Sequence, residues 1–526
     1  MATYPDEKAV YDSNGSSTDF STDNSRPPTG VATTGPDENG ITWKYLEFDT
    51  PFEELGLPGT EADLPNAFKR LGNPFDWAQT KKLAICVLGS FSCLMAAYSA
   101  SAYSSGLAQM MAEWNQKKIP LLCGITTFTT GFGIGPMFLA PISEVYGRKP
   151  LIMGAYLLFN ITHLCKALCH SFPGMLVARF WEGVAGSTFS TIVGGIMADI
   201  FISEQRGLPM SIFALCAMVG VGLGSLINGW VVFYSTWRWI HWSQLIYCSF
   251  QMVVVYFVIS ESRQNVILSR KAKLLNKLLA ESNSDIKVQW KARADDETKT
   301  WGELMSGSVI LPFKFLVKEP VVTAFSAWIS FSWAMLYMFL QSVPLVFTQL
   351  FDFNAKQVGY VFGAVIGGSI IGFICNFTYE VWLSKLLPDR GPENRLYLSC
   401  VLSPLVPAGM FWLGWTAYSD SHYILPALAV GCACCGIFAT YLAVFNYLAD
   451  AYRGYASSAL AAQSFCRNML SGILPLVAGP MYAKMGFQGG SGMLGGISLA
   501  LCTIPWVLMI WGPQIRARSK FASALG

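Results

Sequence analysis

Apolar runs of about 20 residues recur along the chain, each long enough for a helix to cross a hydrocarbon core of about 30 Å. The length of 526 residues would otherwise suggest three or four soluble domains. The 53% apolar and 13% charged composition, with a mean hydropathy of +0.41, makes it a polytopic helical membrane protein instead. Six spans are expected at about 83–105, 121–142, 151–171, 174–202, 208–233 and 239–260. Six more follow at about 320–345, 357–383, 396–416, 423–448, 456–481 and 490–512. The fold class is therefore an all-α membrane protein of twelve transmembrane helices in two pseudo-symmetric six-helix bundles.

Around this core, residues 1–80 read as a disordered cytosolic tail rich in Ser, Thr, Asp, Gly and Pro, with aromatics near Trp43–Phe52 that would dock on the membrane face. No basic segment followed by an apolar one marks a signal peptide. The domains expected are this tail, a bundle at 81–260, a charged cytosolic linker at 261–317, a second bundle at 318–512 and a cytosolic tail at 513–526. Within the linker, Lys271–Leu279 has helical spacing suited to the cytosolic surface. Basic residues in the linker and in the loops on its side put both termini in the cytosol.

Several function classes are set aside. A net charge of +3 gives no sign of a nucleic-acid partner. Nearly all of the fourteen cysteines lie in expected spans, and Cys432-Ala433-Cys434-Cys435 has no His or carboxylate at ligand spacing. Neither a metal nor a cofactor is expected. The histidines His163, His170, His241 and His422 are scattered, against a membrane enzyme, and no Gly-x-x-x-x-Gly-Lys-Ser/Thr loop serves a nucleotide-driven pump.

The shortest loop carries the densest chemistry. Ala140-Pro141-Ile142-Ser143-Glu144-Val145-Tyr146-Gly147-Arg148-Lys149 closes one span and opens the next. Gly147 permits a tight reversal. Glu144, at a helix C-terminus where the dipole disfavours an anion, needs a cation, and Arg148 and Lys149 are nearest. The halves also echo each other, Asp199…Arg206-Gly207 in the first against Asp450…Arg453-Gly454 in the second.

Ionisable groups inside spans are costly and mark function. Arg179 and Glu182 lie three apart on helix 4, roughly 8–15 Å from its outer end. Arg467 lies about 18 Å into helix 11, near the midplane, followed by Asn468. Tyr98, Trp333, Tyr337, Gln341, Tyr441 and Asn446 are candidates to line a cavity for an amphipathic solute.

The hairpin wording resembles the loop 2–3 signature of the major facilitator superfamily, and over residues 80–512 the chain is similar to fungal twelve-span drug–proton antiporters. Gly220, Gly224 and Gly229 match the antiporter helix-packing motif, with Ser225 in place of its proline and Asn228 in place of one glycine. Trp237-Arg238-Trp239 also matches that branch. The resemblance implies proton relay through Arg179 and Glu182 and a cytosolic gate network of Glu144, Gly147, Arg148, Asp199, Arg206, Asp450 and Arg453. It further implies alternating-access export of a small organic compound (a drug, toxicant, secondary metabolite or organic acid) by a monomer in the lipid bilayer. The plasma membrane is the expected location, with an internal membrane such as the vacuole as the alternative. Proton symport of an organic acid or nutrient, and a non-transporting nutrient sensor, are the other readings.

Overall fold

The computed structural model describes residues 42–55, 57, 65–69, 71–202, 205–282, 288–296, 301–382, 391–452 and 455–517. Among these, nine helical stretches are long and apolar enough to cross a membrane. They are α1 (Gln79–Ser105), α2 (Lys118–Tyr146), α4 (Phe172–Ile200), α5 (Gly207–Tyr234), α7 (Pro320–Phe351), α8 (Ala355–Val381), α9 (Gly391–Thr416), α10 (Ile424–Tyr452) and Ala456–Ala517. The helices α3 (Arg148–Ala167) and α6 (Arg238–Val258) complete the first half. Their internal polar residues (Asn160, His163 and Lys166; His241, Gln244 and Gln251) dilute their apolar character. The last stretch breaks at Gly486, whose φ of 70° ends one helix and starts another, giving α11 (456–485) and α12 (487–517).

Local chemistry sets the helix ends. Proline occupies the first turn of α4 and of α7, where no amide hydrogen bond is lost. A reciprocal Asn354–Gln357 capping box starts α8. Within the first half, α1 packs on α5 and α2 on α4; in the second, α7 packs on α11. The halves meet along α2–α11 and α5–α8. One apolar core runs through both bundles, while large apolar side chains such as Phe250, Phe257 and Trp382 point outward, as lipid contact requires.

The tail and linker differ from the sequence expectation. Strand β1 (Thr42–Tyr45) pairs in parallel with β2 (Val288–Lys291) of the linker. Together with the helix Gln264–Ser282 they enclose a second small core of Leu46, Leu55, Phe68, Ala272, Leu275, Leu279 and Trp290. From Thr42 onward the region expected to be disordered is therefore partly built, and the Trp43–Phe52 aromatics join the linker. The apolar face of the linker helix is covered by the chain's own N-terminal segment, because a stripe that short is buried more completely by protein on its two sides than by a surface. Residues 1–41 lie outside the described residues.

Candidate functional site

The first site lies inside the first bundle. Arg179 and Glu182 are both fully buried and paired, Nη1 to Oε2, at 2.9 Å. Arg179 is wedged between the rings of Tyr103 and Phe128, at 4.6 and 4.5 Å. It donates to the carbonyls of Gly124 and Ser99, so its planar fork ties α1, α2 and α4 together. The other Glu182 oxygen, Oε1, accepts the Ser99 hydroxyl and lies 2.6 Å from Lys166 Nζ. His163 Nε2 is 3.5 Å from that same oxygen, and the His241 ring is 6.1 Å from the His163 ring. Lys166 and His163 are fully buried.

Sequence reasoning found the Arg179–Glu182 pair and missed its surroundings. The two histidines read as scattered meet here, since residues 78 apart in sequence share one depth on neighbouring α3 and α6. Lys166, one residue from the end of α3, has the composition of an interfacial lysine and turns inward instead.

A second site lies between the bundles. Trp333, Tyr337, Tyr441, Arg467 and Asn468 of the second half face Cys93, Ala96, Phe128, Ser190 and Ala217 of the first across a void of about 30 Å³. Arg467 stands over the rings of Trp333, Tyr441 and Phe445 at 4.8, 5.2 and 5.7 Å. It is 3% exposed, and its Nε and Nη1 have no hydrogen-bond partner among the described residues. Asn468 turns back to the Ser464 carbonyl. Three further cavity candidates lie elsewhere. Tyr98 is buried on α1, its backbone carbonyl against Gly224 of α5. Gln341 is buried one turn of α7 beyond Tyr337, and Asn446 is half-buried on α10 away from the void.

The void is sealed along its length. Gly229 sits against Ala355 and Gly359 at one end of the α5–α8 seam, where a Cβ on Gly229 would come within 2.7 Å of the Ala355 carbonyl. At the other end Asn376 donates to Ser211 at 3.1 Å. A void of this size holds no more than a water-sized occupant. A hollow of about 880 Å³ lies nearer the end of the seam that carries Gly207 and Glu380, lined also by Gln79, Cys86, Arg395 and Asp450. Gly220 and Gly224 serve packing inside the first bundle, against Leu94 and against Ser101 and Tyr98 of α1.

The gate network differs in its pairings. Glu144 does not pair with Arg148 or Lys149. It is half-exposed, 3.9 Å from Arg263. Arg148 turns inward to Asp199 at 3.1 Å and to the Ser143 hydroxyl at 2.7 Å, the better-shielded partners. Glu261 takes the place beside the turn, accepting from the backbone N–H groups of Arg148 and Lys149 at the start of α3. Gly147 has φ 101°, and a Cβ there would collide with Glu261. Asp199 also meets Arg263 at 3.6 Å. Arg206 donates to the Ala198 and Phe201 carbonyls at the end of α4. In the second half Asp450 pairs with Arg395 at 2.9 Å. Buried Glu393 holds Arg516 at 2.8 Å and the Tyr447 hydroxyl, while Glu319 holds the Tyr452 hydroxyl. Arg453 lies outside the described residues. Arg263, Glu261, Arg395 and Glu393 were not among the gate residues expected, because each reaches its partner across more than fifty residues of chain.

The profile of the Major Facilitator Superfamily matches residues 83–475. The chain is 31% identical over 456 residues to the MFS-type transporter paaT of Penicillium rubens, covering 86% of this chain and 82% of the relative. It is 30% identical over 498 residues to the MFS-type efflux pump MFS2 of Trichophyton rubrum, covering 92% and 81%. Among solved structures, the proton:xylose symporter XylE superposes with a TM-score of 0.60 at 16% identity, over 82% of this chain and 97% of that one.

Proposed function

The chain belongs to the Major Facilitator Superfamily, and on that premise we propose that it is a proton-coupled exporter of a small organic anion with an aromatic or apolar body. The observation that carries the reading is Arg467, a buried permanent cation between the two bundles with three aromatic rings around it. Among the described residues its Nη2 reaches only Ser464 Oγ, at 3.5 Å, and its Nε and Nη1 have no hydrogen-bond partner. A buried charge without a hydrogen-bonded partner is expensive. A carboxylate or sulfonate entering between the halves would satisfy it, and the rings would cover the solute's apolar body. The relatives named as a transporter and an efflux pump support outward transport.

In the proposed cycle the halves rock about the void. The α5–α8 and α2–α11 seams open alternately at the two faces. The ion pairs Arg148–Asp199 and Arg395–Asp450 hold the terminus-bearing, cytosolic face, and the buried Arg179–Glu182–Lys166 cluster takes up and releases the driving proton. The carrier works as a monomer in the plasma membrane.

The test uses everted membrane vesicles and a fluorescent naphthalene sulfonate, which stays anionic throughout, beside its uncharged sulfonamide. A lumen-acid gradient is expected to accumulate the sulfonate and not the sulfonamide. Accumulation under a lumen-alkaline gradient would identify symport instead. Equal handling of both probes would remove the role given to Arg467.

A further inference from the structure

We propose that the exchangeable proton of the first bundle is carried by Lys166, with Glu182 as its fixed counter-anion, and that it enters through His241 and His163 from the face opposite the termini. This rests on the reading of the chain as proton-coupled.

The charge count is the first ground. One carboxylate, Glu182, touches two cations, Arg179 at 2.9 Å and Lys166 at 2.6 Å, and all three side chains are fully buried. A guanidinium keeps its proton under all working conditions, so Glu182 balances Arg179. Lys166 is then a second positive charge with no anion of its own, and it is the cation of the two able to give up a proton. Its Nζ contacts Oε1 and has no further hydrogen-bond partner among the described residues. The groups facing Lys166 come from four helices: Ser99 of α1, His163 of α3, Glu182 and Arg179 of α4, and His241 and Cys248 of α6. No second carboxylate is among them.

The route is the second ground. Both nitrogens of His163 and Nδ1 of His241 are buried without a hydrogen-bond partner among the described residues. Buried polar atoms are ordinarily satisfied, and an imidazole with a spare nitrogen both accepts and donates a proton. His241 packs on Trp237 at 5.9 Å, and Trp237 stands at the start of α6, on the face opposite the termini. There the Trp237 indole and Arg238 both donate to Glu113, at 2.7 and 2.5 Å, closing the entrance. His163 and His241 are 6.1 Å apart by ring centroids, a gap that ring rotation or one water spans.

In the step itself a hydronium ion at the entrance gives its proton to His241, leaving water, and the proton moves on to His163. From there it crosses Glu182 Oε1 to the Lys166 amine, which becomes an ammonium as the imidazole returns to neutral. No other bond changes. Phe128, stacked on Arg179, also lines the central void, so a chain of contacts Lys166–Glu182–Arg179–Phe128 links the added charge to the proposed substrate.

The test needs no substrate. The purified full chain in detergent, unbuffered with an indicator dye, is jumped from about pH 8 to about pH 6.5, and proton uptake is followed in stopped flow. A slow phase of about one proton per chain is expected, distinct from the fast surface groups. K166R keeps the ion pair but cannot lose a proton, and it should lack that phase. The double variant H163Q/H241Q should slow it about tenfold or more, whereas H170Q/H422Q should leave it alone. Elution volume and Tm confirm folding, and K166M replaces K166R if the arginine is not accommodated. A slow phase intact in K166R or K166M, or unchanged in H163Q/H241Q, overturns the proposal. Failure of the wild type to move the sulfonate, with the slow phase behaving as stated, would refute the export reading alone.

Discussion

Arg148 Nε lies 3.1 Å from Asp199 Oδ2, joining the start of α3 to the end of α4. Arg395 and Asp450 repeat the arrangement at the start of α9 and the end of α10, at 2.9 Å. The two pairs differ in solvent. The first is about nine-tenths buried, at 9% and 11% side-chain exposure, and the second stands at 40% and 43%. Asp199 also has Arg263 beside it, whereas Asp450 lines the 880 Å³ hollow.

The contrast predicts unequal costs. D199N leaves Arg148 buried with a weaker partner and should lower stability by about 3–5 kcal/mol. D450N should cost less than about 1 kcal/mol, because water screens that pair. Thermal unfolding of the purified variants compares them, and an R148A/D199A cycle isolates the coupling.

Glycines on one helix should separate stability from transport. A Cβ on Gly224 would strike Ser101 and the Tyr98 carbonyl inside the first bundle. G224A should therefore lower Tm and expression together, as overpacking does, by about 1–3 kcal/mol. Gly229 touches the other bundle, so G229A should leave Tm nearly unchanged while slowing sulfonate exchange, measured as vesicle counterflow.

Arg467 and Trp333 should act on affinity. R467A should abolish accumulation of the sulfonate. R467K keeps the charge but not the planar stack, and W333A removes one ring of the stack. Each should raise the sulfonate KM by about 2–30-fold, the worth of a cation–π contact of about 0.5–2 kcal/mol. Initial rates across probe concentrations give the values.

The lid at Glu113 should respond to acid in one direction. Its hydrogen bond to Arg238 holds the Glu113 carboxyl below the usual carboxylate range, against the upward pull of partial burial and with help from Trp237. A carboxyl held lower in the folded state stabilises fully above its unfolded value of about 4.3 and ceases to do so as pH falls through the folded value. The Glu113–Arg238 pairing should persist from about pH 8 to about pH 5, slowing proton entry without preventing it, and weaken only in stronger acid. Cys169, whose carbonyl accepts from Arg238, reports it. Its reaction with dithiodipyridine, which attacks thiols in acid, should accelerate below about pH 4 in the wild type. In E113Q it should be fast at every pH.

Trp290 is 2% exposed in the small core formed with the N-terminal segment. W290A should remove about 3–5 kcal/mol from that core alone. Limited proteolysis should then cut the linker faster, while the Tm of the membrane bundles stays within about 2 °C of wild type.

What the sequence disclosed divides by the range of the interactions. Span length, apolar content and the two-fold layout follow from local composition, and Arg179–Glu182 follows from one helical turn, so these were legible. Gly147 was legible as a turn, although its collision with Glu261 was not. Lys166, His163 and His241 were missed because periodicity in an apolar helix assigns depth and not the direction a side chain faces. Glu144 was given the nearest cations in sequence, yet Arg148 is drawn to buried Asp199, where the field is least screened. Tyr98, Gln341 and Asn446 were chosen by residue type, which carries no information on which bundle surface meets the void. The β1–β2 pairing joins segments too short and too far apart for alternation in either one to declare it.

That pairing has a consequence for how the protein is made. Thr42 meets Val288, and Tyr45 meets Lys291. The opening strand must wait, single and uncovered, while all six helices of the first bundle leave the ribosome and enter the bilayer. Only then does its mate emerge, and joining the two ties the first bundle into a ring. The knot can be fastened before any helix of the second bundle exists, so the first half is born as a finished unit on which the second assembles.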